Sequence, residues 1–361
     1  MLRLLPFLLL LAFAAPAATP KTRNIIFVST DGLRWQEIFR GADESLINKT
    51  LGGVINETAL RNQYWDDSAE LRRKKLMPWL WSEVASQGQL FGNRDVGSEV
   101  QCTNPLFFSY PGYNEFLTGH PDERIISNKA IPNANTNVLE FLHGRPEFHG
   151  RVNAYAAWDV LAWILNGPRS GFPIWISNGN VPPRTVVPKH PEIERMRDDT
   201  TLPWEEEHFD SFVHAAAMEC LRKEKPRVLY ISYGETDEWG HGKRYDNFLT
   251  STNRFDRWLR ELWETAQAMP EYRGSTTLVV TTDHGRGLGE KWTSHGEKIP
   301  ESGEMWLGVL GPDTKPLGER RQIPRVAQAQ IAATVAALLG EDFRKAVPEA
   351  AAPVSDVLPS E

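Results

Sequence analysis

Cysteine is scarce in this sequence, whose 361 residues include only Cys102 and Cys220. Two isolated cysteines exclude a disulfide-rich scaffold and a thiolate metal site, and they leave one disulfide between them as an open alternative. After Pro20 the chain also lacks an apolar run of about 20 residues, the length that a membrane-spanning helix needs. Positive charge is not in excess either, because the formal net charge is −7. This balance argues against a nucleic-acid-binding surface.

The first residues, in contrast, are strongly apolar and read MLRLLPFLLLLAFAAPAATP. Arg3 precedes a leucine-rich run, and Ala15-Pro16-Ala17 then forms a cleavage site of the A-x-A kind. This order is typical of a secretory signal peptide over residues 1–17, with an uncleaved anchor as the alternative. Cleavage would remove Arg3 and take the net charge from −7 to −8. We expect a periplasmic or secreted protein with no membrane span after cleavage.

Short apolar runs alternate with amphipathic stretches along the chain. The predicted strands are Asn24–Ser29, Val152–Ala157, Val228–Tyr233, Thr277–Thr282 and Met305–Leu310. The predicted helical segments are Met77–Gln87, Asn114–Leu117, Asn137–His143, Glu206–Lys223, Asn247–Ala268 and Pro324–Leu339. Continuously apolar strands are typical of parallel sheets that are buried on both faces. The alternation therefore predicts an α/β fold, a three-layer αβα sandwich with a mostly parallel central sheet.

No repeat or low-complexity linker divides the sequence, so we expect a single domain over residues 18–345. The segment near residues 166–204 is rich in Pro, Gly and Asn and has little periodicity. We predict that it forms a loop-rich insertion beside the sheet. Residues 346–361 are rich in Pro and Ala, and they are predicted to form a flexible C-terminal tail.

Acidic and imidazole side chains follow three of the predicted strands or lie in glycine-rich loops after them. These residues are Asp31, Asp237, His241, Asp283, His284 and His295. In open α/β sheets, sites form beyond the carboxyl ends of the strands, so we expect the six side chains to converge. Glycines beside several of them allow the backbone to approach closely. The pattern predicts a metal centre.

The chemistry of these six ligands indicates which metal they would hold. Mixed nitrogen and oxygen ligation suits zinc, with manganese as the alternative. Six ligands exceed the three that one catalytic zinc usually takes from the protein, so we predict two divalent ions. Two ions about 4 Å apart can stabilise both the attacking and the leaving oxygen of a displacement at phosphorus. The remaining histidines lack such companions and are interpreted as ordinary residues: His120, His143, His149, His190, His208 and His214.

At this point the sequence resembles the alkaline phosphatase superfamily, and most closely its nucleotide pyrophosphatase/phosphodiesterase-like branch. Five stretches in the family's order carry the resemblance: NIIFVSTDGLRWQEIF, FFSYPGYNEFLTGHPDERIISN, YGETDEWGHG, TTDHGRG and SHGE. Together they span residues 24–297. The resemblance implies an alkaline phosphatase-like fold and a metal-dependent phosphoric ester hydrolase, either a phosphatase or a phosphodiesterase, with a small-molecule phosphate ester as substrate.

The resemblance also implies roles for individual residues. Ser109 matches the family's nucleophile, before the aromatic-proline pair Tyr110-Pro111 at the start of a helix, and the reaction would pass through a phosphoseryl intermediate. Asn128 matches an Asn that donates to a phosphoryl oxygen. By the same likeness, one ion takes Asp31, Ser109, Asp283 and His284, and the other takes Asp237, His241 and His295. A hydroxyl beside a dication ionises more readily, whereas the alternative for Ser109 is a helix cap.

The choice between a monoester and a diester depends on the residues around the metals. A monoesterase needs a cation for the additional phosphate charge, and a diesterase needs a wall for its second ester group. Substrate contacts are predicted for Arg34, Tyr113, Trp158, Trp239 and Lys243. Further candidates by proximity in sequence are Arg244 and Arg286 among the cations and Trp35, Phe107 and Phe108 among the aromatics.

Other functions on the same scaffold remain as alternatives. A sulfatase-like enzyme would carry Cys or Ser followed by x-Pro-x-Arg, and this sequence has Tyr113 at the position of that Arg. A phosphoglycerate mutase-like enzyme conflicts with the export signal and with the chain length. A phosphonate hydrolase and a non-catalytic metal-binding protein are the remaining alternatives.

Overall fold

The central strand, β1 (Asn24–Thr30), is buried along its whole length in the computed structural model, which describes residues 20–359. Ile26 and Val28 belong to one hydrophobic core, and Ile25 and Phe27 belong to a second. Because successive side chains of a strand point to opposite faces, the two cores lie on the two sides of the sheet. A strand covered on both sides is continuously apolar, as the sequence predicts for β1.

The strands form one large sheet and one small sheet. The strands after β1 are β2 (Gln89–Phe91), β3 (Val100–Gln101), β4 (Val152–Ala156), β5 (Ile174–Ile176), β6 (Val228–Tyr233), β7 (Thr276–Thr282), β8 (Glu304–Met305), β9 (Leu307–Leu310), β10 (Gly318–Glu319) and β11 (Val326–Ala327). The large sheet has the order β10-β2-β9-β7-β1-β6-β4-β5, and β11-β3-β8 form the small one. Strands β7, β1, β6, β4 and β5 are parallel, whereas β9 runs antiparallel to β7 and β2. The prediction of a mostly parallel sheet is confirmed.

Helices cover both faces of the large sheet. They are α1 (Trp35–Arg40), α2 (Lys49–Gly52), α3 (Glu57–Tyr64), α4 (Ala69–Leu76), α5 (Ala85–Gln87), α6 (Ser109–Thr118), α7 (Val138–His143), α8 (Leu161–Ile164), α9 (Gly167–Ser170), α10 (Pro191–Asp198), α11 (Asp210–Lys223), α12 (Glu235–His241), α13 (Tyr245–Ala268) and α14 (Gln330–Leu338). Helices α11 and α13 pack in the core that contains Ile26, and α6, α7 and α14 pack in the core that contains Phe27. The fold is the predicted three-layer αβα sandwich.

Helix α11 begins later than the sequence predicts, at Asp210 instead of Glu206. The carboxylate of Asp210 accepts hydrogen bonds from the backbone N–H groups of Gly234 (2.8 Å) and Glu235 (3.0 Å), in the turn after β6. These bonds tie the start of α11 to that turn. Residues 206–209 therefore precede the helix and lie beside the carboxyl end of the sheet.

Two further predicted elements are divided in the structure. The predicted strand Met305–Leu310 is split between β8, in the small sheet, and β9, in the large one. The predicted helix Pro324–Leu339 begins only at Gln330, because residues 326–327 form β11 and pair with β3. Predicted helix Met77–Gln87 corresponds to a π-helical turn followed by α5.

The predicted flexible tail over residues 346–361 is wrong for the part that the structure describes. Several apolar side chains of this segment are buried in the same core as α14, namely Val347, Ala350, Val354 and Val357. The backbone N–H of Val354 also donates to Thr334 Oγ1 of α14 at 2.9 Å. The segment therefore covers α14, and its Pro- and Ala-rich composition obscures the apolar side chains that dock it.

The segment predicted as a loop-rich insertion, residues 166–204, contributes partly to the sheet itself. Strand β5 lies within it and pairs in parallel with β4 at the edge of the large sheet. Helices α9 and α10 also belong to this segment. The prediction of a separate insertion is therefore wrong for β5, whose three residues are too few to give a recognisable strand pattern.

The cysteines and the helices of the described residues bear on the expected export. Cys102 and Cys220 are free and buried in different cores, on opposite sides of the sheet, so they form no disulfide with each other. The predicted signal peptide over residues 1–17 lies outside the described residues. Within residues 20–359, no helix combines the length and the hydrophobicity that crossing a membrane requires.

Candidate metal centre

The structure brings all six predicted metal ligands to one edge of the sheet. Strands β7, β1 and β6 are neighbours and parallel, so their carboxyl ends meet. Asp31 directly follows β1, and Asp283 and His284 directly follow β7. Asp237 and His241 lie in α12, which begins two residues after β6. The sixth ligand, His295, reaches the same edge from the loop between β7 and β8.

One group of side chains surrounds Nε2 of His284. Asp31 Oδ1 lies 3.3 Å from this nitrogen, Asp283 Oδ2 lies 3.4 Å from it, and Ser109 Oγ lies 3.3 Å from it. The other ring nitrogen, Nδ1, is 2.8 Å from the carbonyl oxygen of Gly285, to which it can donate. Such a bond fixes the ring and leaves the lone pair of Nε2 towards the carboxylates and the serine.

A second group forms around Asp237. His241 Nε2 lies 3.0 Å from Asp237 Oδ2 and 3.0 Å from His295 Nε2. His295 Nε2 is 3.9 Å from the same carboxylate oxygen. The Nδ1 of His295 faces the carbonyl oxygen of Phe107 at 3.3 Å, so its Nε2 is again the nitrogen that points into the group.

Asp237 joins the two groups. Two sets of ligand atoms converge, and within each set the atoms lie within 4.8 Å of one another. One set comes from Asp237, His241 and His295, and the other comes from Asp31, Asp237 and His284. The sequence-based division assigns Asp237 to one ion only and places Asp283 with Asp31 and His284. In the structure Asp237 belongs to both sets. Asp283 belongs to neither, and it contacts the second set only by its approach to His284 Nε2.

The charges around His284 fit a divalent cation. Asp31 Oδ1 and Asp283 Oδ2 are buried without a hydrogen-bond partner. Burial alone would lower the pKa of His284, but Asp283 and Asp31 outweigh it and raise this pKa to about 9. Burial and the charge of Asp31 raise the pKa of Asp283 well above its ordinary value. The raised pKa of Asp283 reflects a buried carboxyl group beside a second carboxylate, and a divalent ion would supply the positive charge that this pair lacks.

The two histidines of the second group have the opposite tendency. Partial burial lowers the pKa of His241, whose side chain is 47% exposed, and the charge of His284 lowers it further. Burial, with the positive charges of His284 and Arg286, lowers the pKa of His295 well below its ordinary value. Both imidazoles are therefore neutral near pH 7, which is the form that binds a metal ion.

Ser109 is the first residue of α6, and its hydroxyl faces the metal centre. The N-cap position of this helix is occupied by Phe108 and not by Ser109, and no side chain caps the helix there. The hydroxyl of Ser109 contacts His284 instead. The loop before the helix is anchored by Glu115, which accepts backbone N–H bonds from Thr103 and Asn104, both at 2.8 Å. This geometry does not support the alternative that Ser109 merely caps α6.

Two further contacts place the amino end of α6 against the centre. Gly112 packs on the backbone carbonyl of Asp283 so closely that a Cβ atom would clash with it. The backbone N–H of Tyr110 donates to Asn128 Oδ1 at 2.9 Å, and Asn128 lines the same cleft as Ser109. The amide nitrogen of Asn128 is then the group with which it could donate to a ligand.

Two of the predicted substrate contacts belong to the interior. Arg34 is completely buried, forms an ion pair with Glu37 and donates to the carbonyl oxygen of Gly287 at 3.1 Å. Tyr113 is buried, and its hydroxyl lies 3.0 Å from Ser232 Oγ. Both predictions are wrong, because position in the sequence does not tell on which side of the backbone a side chain lies.

Of the other three predicted contacts, only Trp158 lines the cleft that contains Ser109. Trp239 donates through Nε1 to Glu235 at 3.2 Å and packs edge-on against Trp204, outside the lining of this cleft. Lys243 is exposed in the turn after α12, also outside that lining. Trp239 and Lys243 therefore do not line this cleft, and their contacts with substrate stay predictions.

Arg286 and Arg244 are candidates only because they lie near the motifs in the sequence. The side chain of Arg286 points into the interior, and that of Arg244 pairs with a residue close to it in the chain. Arg286 is buried, forms an ion pair with Asp237 and donates to the carbonyl oxygen of Trp292 at 3.0 Å. Burial lowers the pKa of Arg286 to about 9. Arg244 pairs with Asp246 at 2.9 Å. The guanidinium of Arg286 is thus committed to the predicted ligand Asp237 and to the backbone.

The cleft beside the metal centre has a volume of about 180 Å³ and contains residues that the sequence patterns do not reveal. Its lining is Asp31, Ser109, Asn128, Trp158, Glu206, Glu207, Gly234, Asp237, Glu238, His241 and His295. Glu206 and Glu207 fall in a stretch that the sequence predicts as helix, and Glu238 adjoins a predicted ligand. Their convergence depends on the late start of α11, for which the sequence carries no separate signal.

Comparison with solved structures identifies the fold. The alkaline phosphatase PafA is 11% identical, with 96% of this chain and 100% of that chain covered and a TM-score of 0.63. A protein in the alkaline phosphatase superfamily from Vibrio parahaemolyticus is 12% identical over 91% of this chain and 69% of its own, with a TM-score of 0.51. The lipoteichoic acid synthase LtaP from Listeria monocytogenes is 11% identical over 89% and 72%, also at 0.51. These similarities show an alkaline phosphatase-like fold.

Sequence comparison then defines the family. The sequence model of the family described as type I phosphodiesterase / nucleotide pyrophosphatase matches residues 108–354, about two thirds of the chain. The chain belongs to this family, which confirms the resemblance that the five motifs indicate. Among curated proteins, none matches this chain.

Proposed function

We propose that this protein is an exported, two-metal phosphodiester hydrolase in which Ser109 is the nucleophile. The observation that carries the proposal is the position of Ser109 Oγ, 3.3 Å from His284 Nε2 in a buried group of carboxylates that lack hydrogen-bond partners. Membership of the phosphodiesterase family supports hydrolysis of an ester. The mixed nitrogen and oxygen ligands favour zinc, with manganese as the alternative.

The ligand sets follow from the two groups of side chains. Asp31, Ser109, Asp283 and His284 would hold one ion, and Asp237, His241 and His295 would hold the other. When bound, such a pair of ions supplies Lewis-acid stabilisation of negative charge on the attacking and leaving oxygens. Arg286 holds Asp237 in place by its ion pair.

The chain's own groups account for the two displacements. Ser109 Oγ attacks phosphorus, the bond to one ester oxygen breaks, and that oxygen leaves as an alcohol. Water then attacks phosphorus, breaks its bond to Ser109 Oγ and releases a phosphomonoester. The amino end of α6 favours a phosphoryl oxygen, to which Asn128 would also donate. Two in-line displacements leave the configuration at phosphorus unchanged.

The charge of the cleft favours a diester over a monoester. Among the described residues, the lining of the cleft contains five acidic side chains and no Lys or Arg. Arg34 and Arg286, two cations that lie in the motifs, are already committed to Glu37 and Asp237. A monoester carries one more negative charge than a diester, and this cleft offers that charge no side-chain cation.

Hydrolysis of bis-p-nitrophenyl phosphate and p-nitrophenyl phosphate by the metal-loaded protein tests the proposal. We expect the diester to be hydrolysed with the larger kcat/KM, and Ser109→Ala to lose at least about a thousandfold in kcat, the scale of losing a nucleophile. Ser86→Ala, an exposed serine on α5, is the matched control. No turnover of either ester, or full activity of Ser109→Ala, would contradict the proposal.

The same assay separates the alternatives. Hydrolysis of p-nitrophenyl sulfate or of a phosphonate monoester in preference to both phosphate esters would favour a sulfatase-like or phosphonate hydrolase. Metal binding without turnover of any of these esters would favour a non-catalytic protein. Export is tested by N-terminal sequencing of the protein recovered from the periplasm or medium, for which we expect Ala18 as the first residue.

A further inference from the structure

Three glutamates line the cleft on the side that the proposed metal ligands do not use. Glu206 and Glu207 come from the segment before α11, and Glu238 comes from α12. The metal ligands Asp31 and Asp237 would be neutralised by bound ions, but these three carboxylates would not. We call Glu206, Glu207 and Glu238 the glutamate wall. Its uncompensated negative charge bears on which substrate the cleft accepts.

Glu207 is the member of the glutamate wall that has a carboxylate oxygen without a partner. Its side chain is buried, with 3% of the residue exposed, and its Oε1 has no hydrogen-bond partner within the described residues. The carboxylate lies against Gly234, where a Cβ atom would clash with it. Burial, and then the charge of Glu238, raise the pKa of Glu207 well above its ordinary value, and a cation in the cleft would favour its ionised form. A buried carboxylate without a partner is costly, and a cation in the cleft would remove that cost.

The spacing of the wall disfavours a metal ion as that cation. A divalent ion requires several ligand atoms within a few ångströms of one another. Among residues 20–359, the groups of acidic, His or Cys side chains that converge in this way are the two already described, and neither includes a glutamate. The glutamate wall therefore suits a larger cation with dispersed charge.

The aromatic neighbour of the wall suits an organic ammonium group. The indole N–H of Trp158 donates to Glu206 Oε2 at 2.8 Å, so the ring and the carboxylate are held together at the cleft. An ammonium group beside an aromatic ring gains cation–π attraction in addition to its attraction to a carboxylate. The cleft's volume of about 180 Å³ is below the range of about 300–1,000 Å³ that drug-sized ligands occupy, so the enclosed group is small.

We propose that the substrate is a phosphate diester in which one alcohol carries a small ammonium group, primary or quaternary. This inference rests on the proposed function and names its substrate class. The diester and water give a phosphomonoester and an alcohol, and the ammonium group takes part in no bond change. Its positive charge lies against the glutamate wall and Trp158. The same wall repels dianionic monoesters and polyphosphates.

Two chromogenic diesters that differ only in charge test this assignment. They are p-nitrophenyl phosphocholine and its carbon isostere, p-nitrophenyl 3,3-dimethylbutyl phosphate. For the metal-loaded enzyme we expect kcat/KM to favour the cationic ester at least about tenfold, which corresponds to about 1.4 kcal/mol. Tetramethylammonium chloride should inhibit competitively, beyond the effect of equal sodium chloride. Equal kcat/KM for the two esters would overturn the inference and leave the proposed function intact.

Variants of the wall connect the preference to its residues. Glu207→Gln and Glu206→Gln should each reduce kcat/KM for the cationic ester more than kcat/KM for its neutral isostere, so that the preference between the two esters falls. Glu264→Gln, an exposed carboxylate on α13, is the matched control and should change neither value. Loss of bound metal from Glu207→Gln would instead identify the wall as a metal site and overturn the inference. Turnover of neither ester by the wild type would contradict the proposed function itself.

Discussion

Two groups of buried charge lie near the carboxyl end of the sheet, and they differ in how their charge is balanced. Around Arg34, the guanidinium pairs with Glu37, and both side chains are completely buried. Around His284, two carboxylate oxygens, from Asp31 and Asp283, are buried without hydrogen-bond partners. The first group is completed by the protein itself. The second has an excess of acceptors, which is the property expected of a site that a cation completes.

The comparison separates a structural role from a functional one among residues that look alike in the sequence. Arg34 and Asp31 both belong to the same motif, yet only Asp31 faces the cleft. A buried pair that is complete is strongly destabilised when one member is removed, because the other is left uncompensated. A group that awaits a cation should respond differently when one carboxylate is neutralised. The following predictions test this difference.

Removal of metal should have the largest effect. We expect a chelator to reduce hydrolysis of bis-p-nitrophenyl phosphate at least about a thousandfold, because the charge on the reacting oxygens loses its stabilisation. Zinc or manganese should restore activity. The chelated protein should also melt at a lower temperature, because bound ligand stabilises the folded state. Activity that persists in protein proven free of metal would show that the group around His284 is not a metal centre.

Glu37→Gln should break the balanced group. We expect the free energy of unfolding to fall by about 3–5 kcal/mol, the usual cost of leaving one member of a buried ion pair alone. The loss should be the same with and without metal. Denaturant unfolding of the chelated and loaded protein measures it, with Glu57→Gln on the exposed start of α3 as control. A loss that occurs only in the metal-loaded protein would mean that the two groups are coupled.

Asp283→Asn should act differently on the unbalanced group. In chelated protein we expect little change in stability, because relief of a buried carboxylate whose Oδ2 has no hydrogen-bond partner offsets its lost attraction to His284. In loaded protein we expect kcat/KM to fall at least about a hundredfold, since a group supporting the metal is lost. Parallel unfolding and kinetic measurements check both parts. A chelated variant that is less stable by several kcal/mol would show that Asp283 has its partners within the protein.

The pH dependence of stability should differ between the two metal states. The pKa of His284 in the folded chelated protein is raised to about 9, above its ordinary 6.5. Its stabilising contribution is then complete below pH 6.5 and is lost as pH rises through 9. The loss amounts to about 3 kcal/mol, since one pKa unit corresponds to about 1.4 kcal/mol. Metal-loaded protein should not show this fall, which unfolding at pH 6 and pH 9.5 measures.

Gly112→Ala should give the smallest effect of these changes. The added Cβ would meet the carbonyl of Asp283 and push α6 away from it. We expect a loss of about 1–3 kcal/mol in stability, typical of overpacking. Because Ser109 begins the same helix, kcat should fall while metal content stays unchanged. Gly144→Ala, where the added Cβ meets only ordinary or slightly tight contacts, is the control. An unchanged kcat would argue that the position of α6 does not set that of Ser109.

The sequence predicts the fold and the convergence of the six ligands for a definite physical reason. Strands buried on both faces are continuously apolar, so the point where each ends can be read directly, as at Asp31 and Asp283. Parallel neighbours bring those ends to one edge. Ser109 is found through the family resemblance, because a serine at a helix start is otherwise indistinguishable from a cap.

What the sequence does not reveal depends on side-chain direction and on single tertiary contacts. Arg34 and Tyr113 lie beside the motifs, but their side chains turn into the interior. Glu207 faces the cleft because Asp210 ties the start of α11 to the turn after β6. The docked segment 346–359 is similar, since a few spaced apolar residues suffice to bury it. None of these features has a period or a spacing from which it could be predicted.

The most direct test of the central claim is elemental analysis of the purified protein together with its protein concentration. The two groups of ligands predict two divalent transition-metal ions per chain, zinc or manganese, and fewer in Asp237→Asn, because Asp237 belongs to both groups. A wild-type protein that binds no such ion after incubation with zinc and manganese, or that holds a single calcium ion instead, would contradict the account.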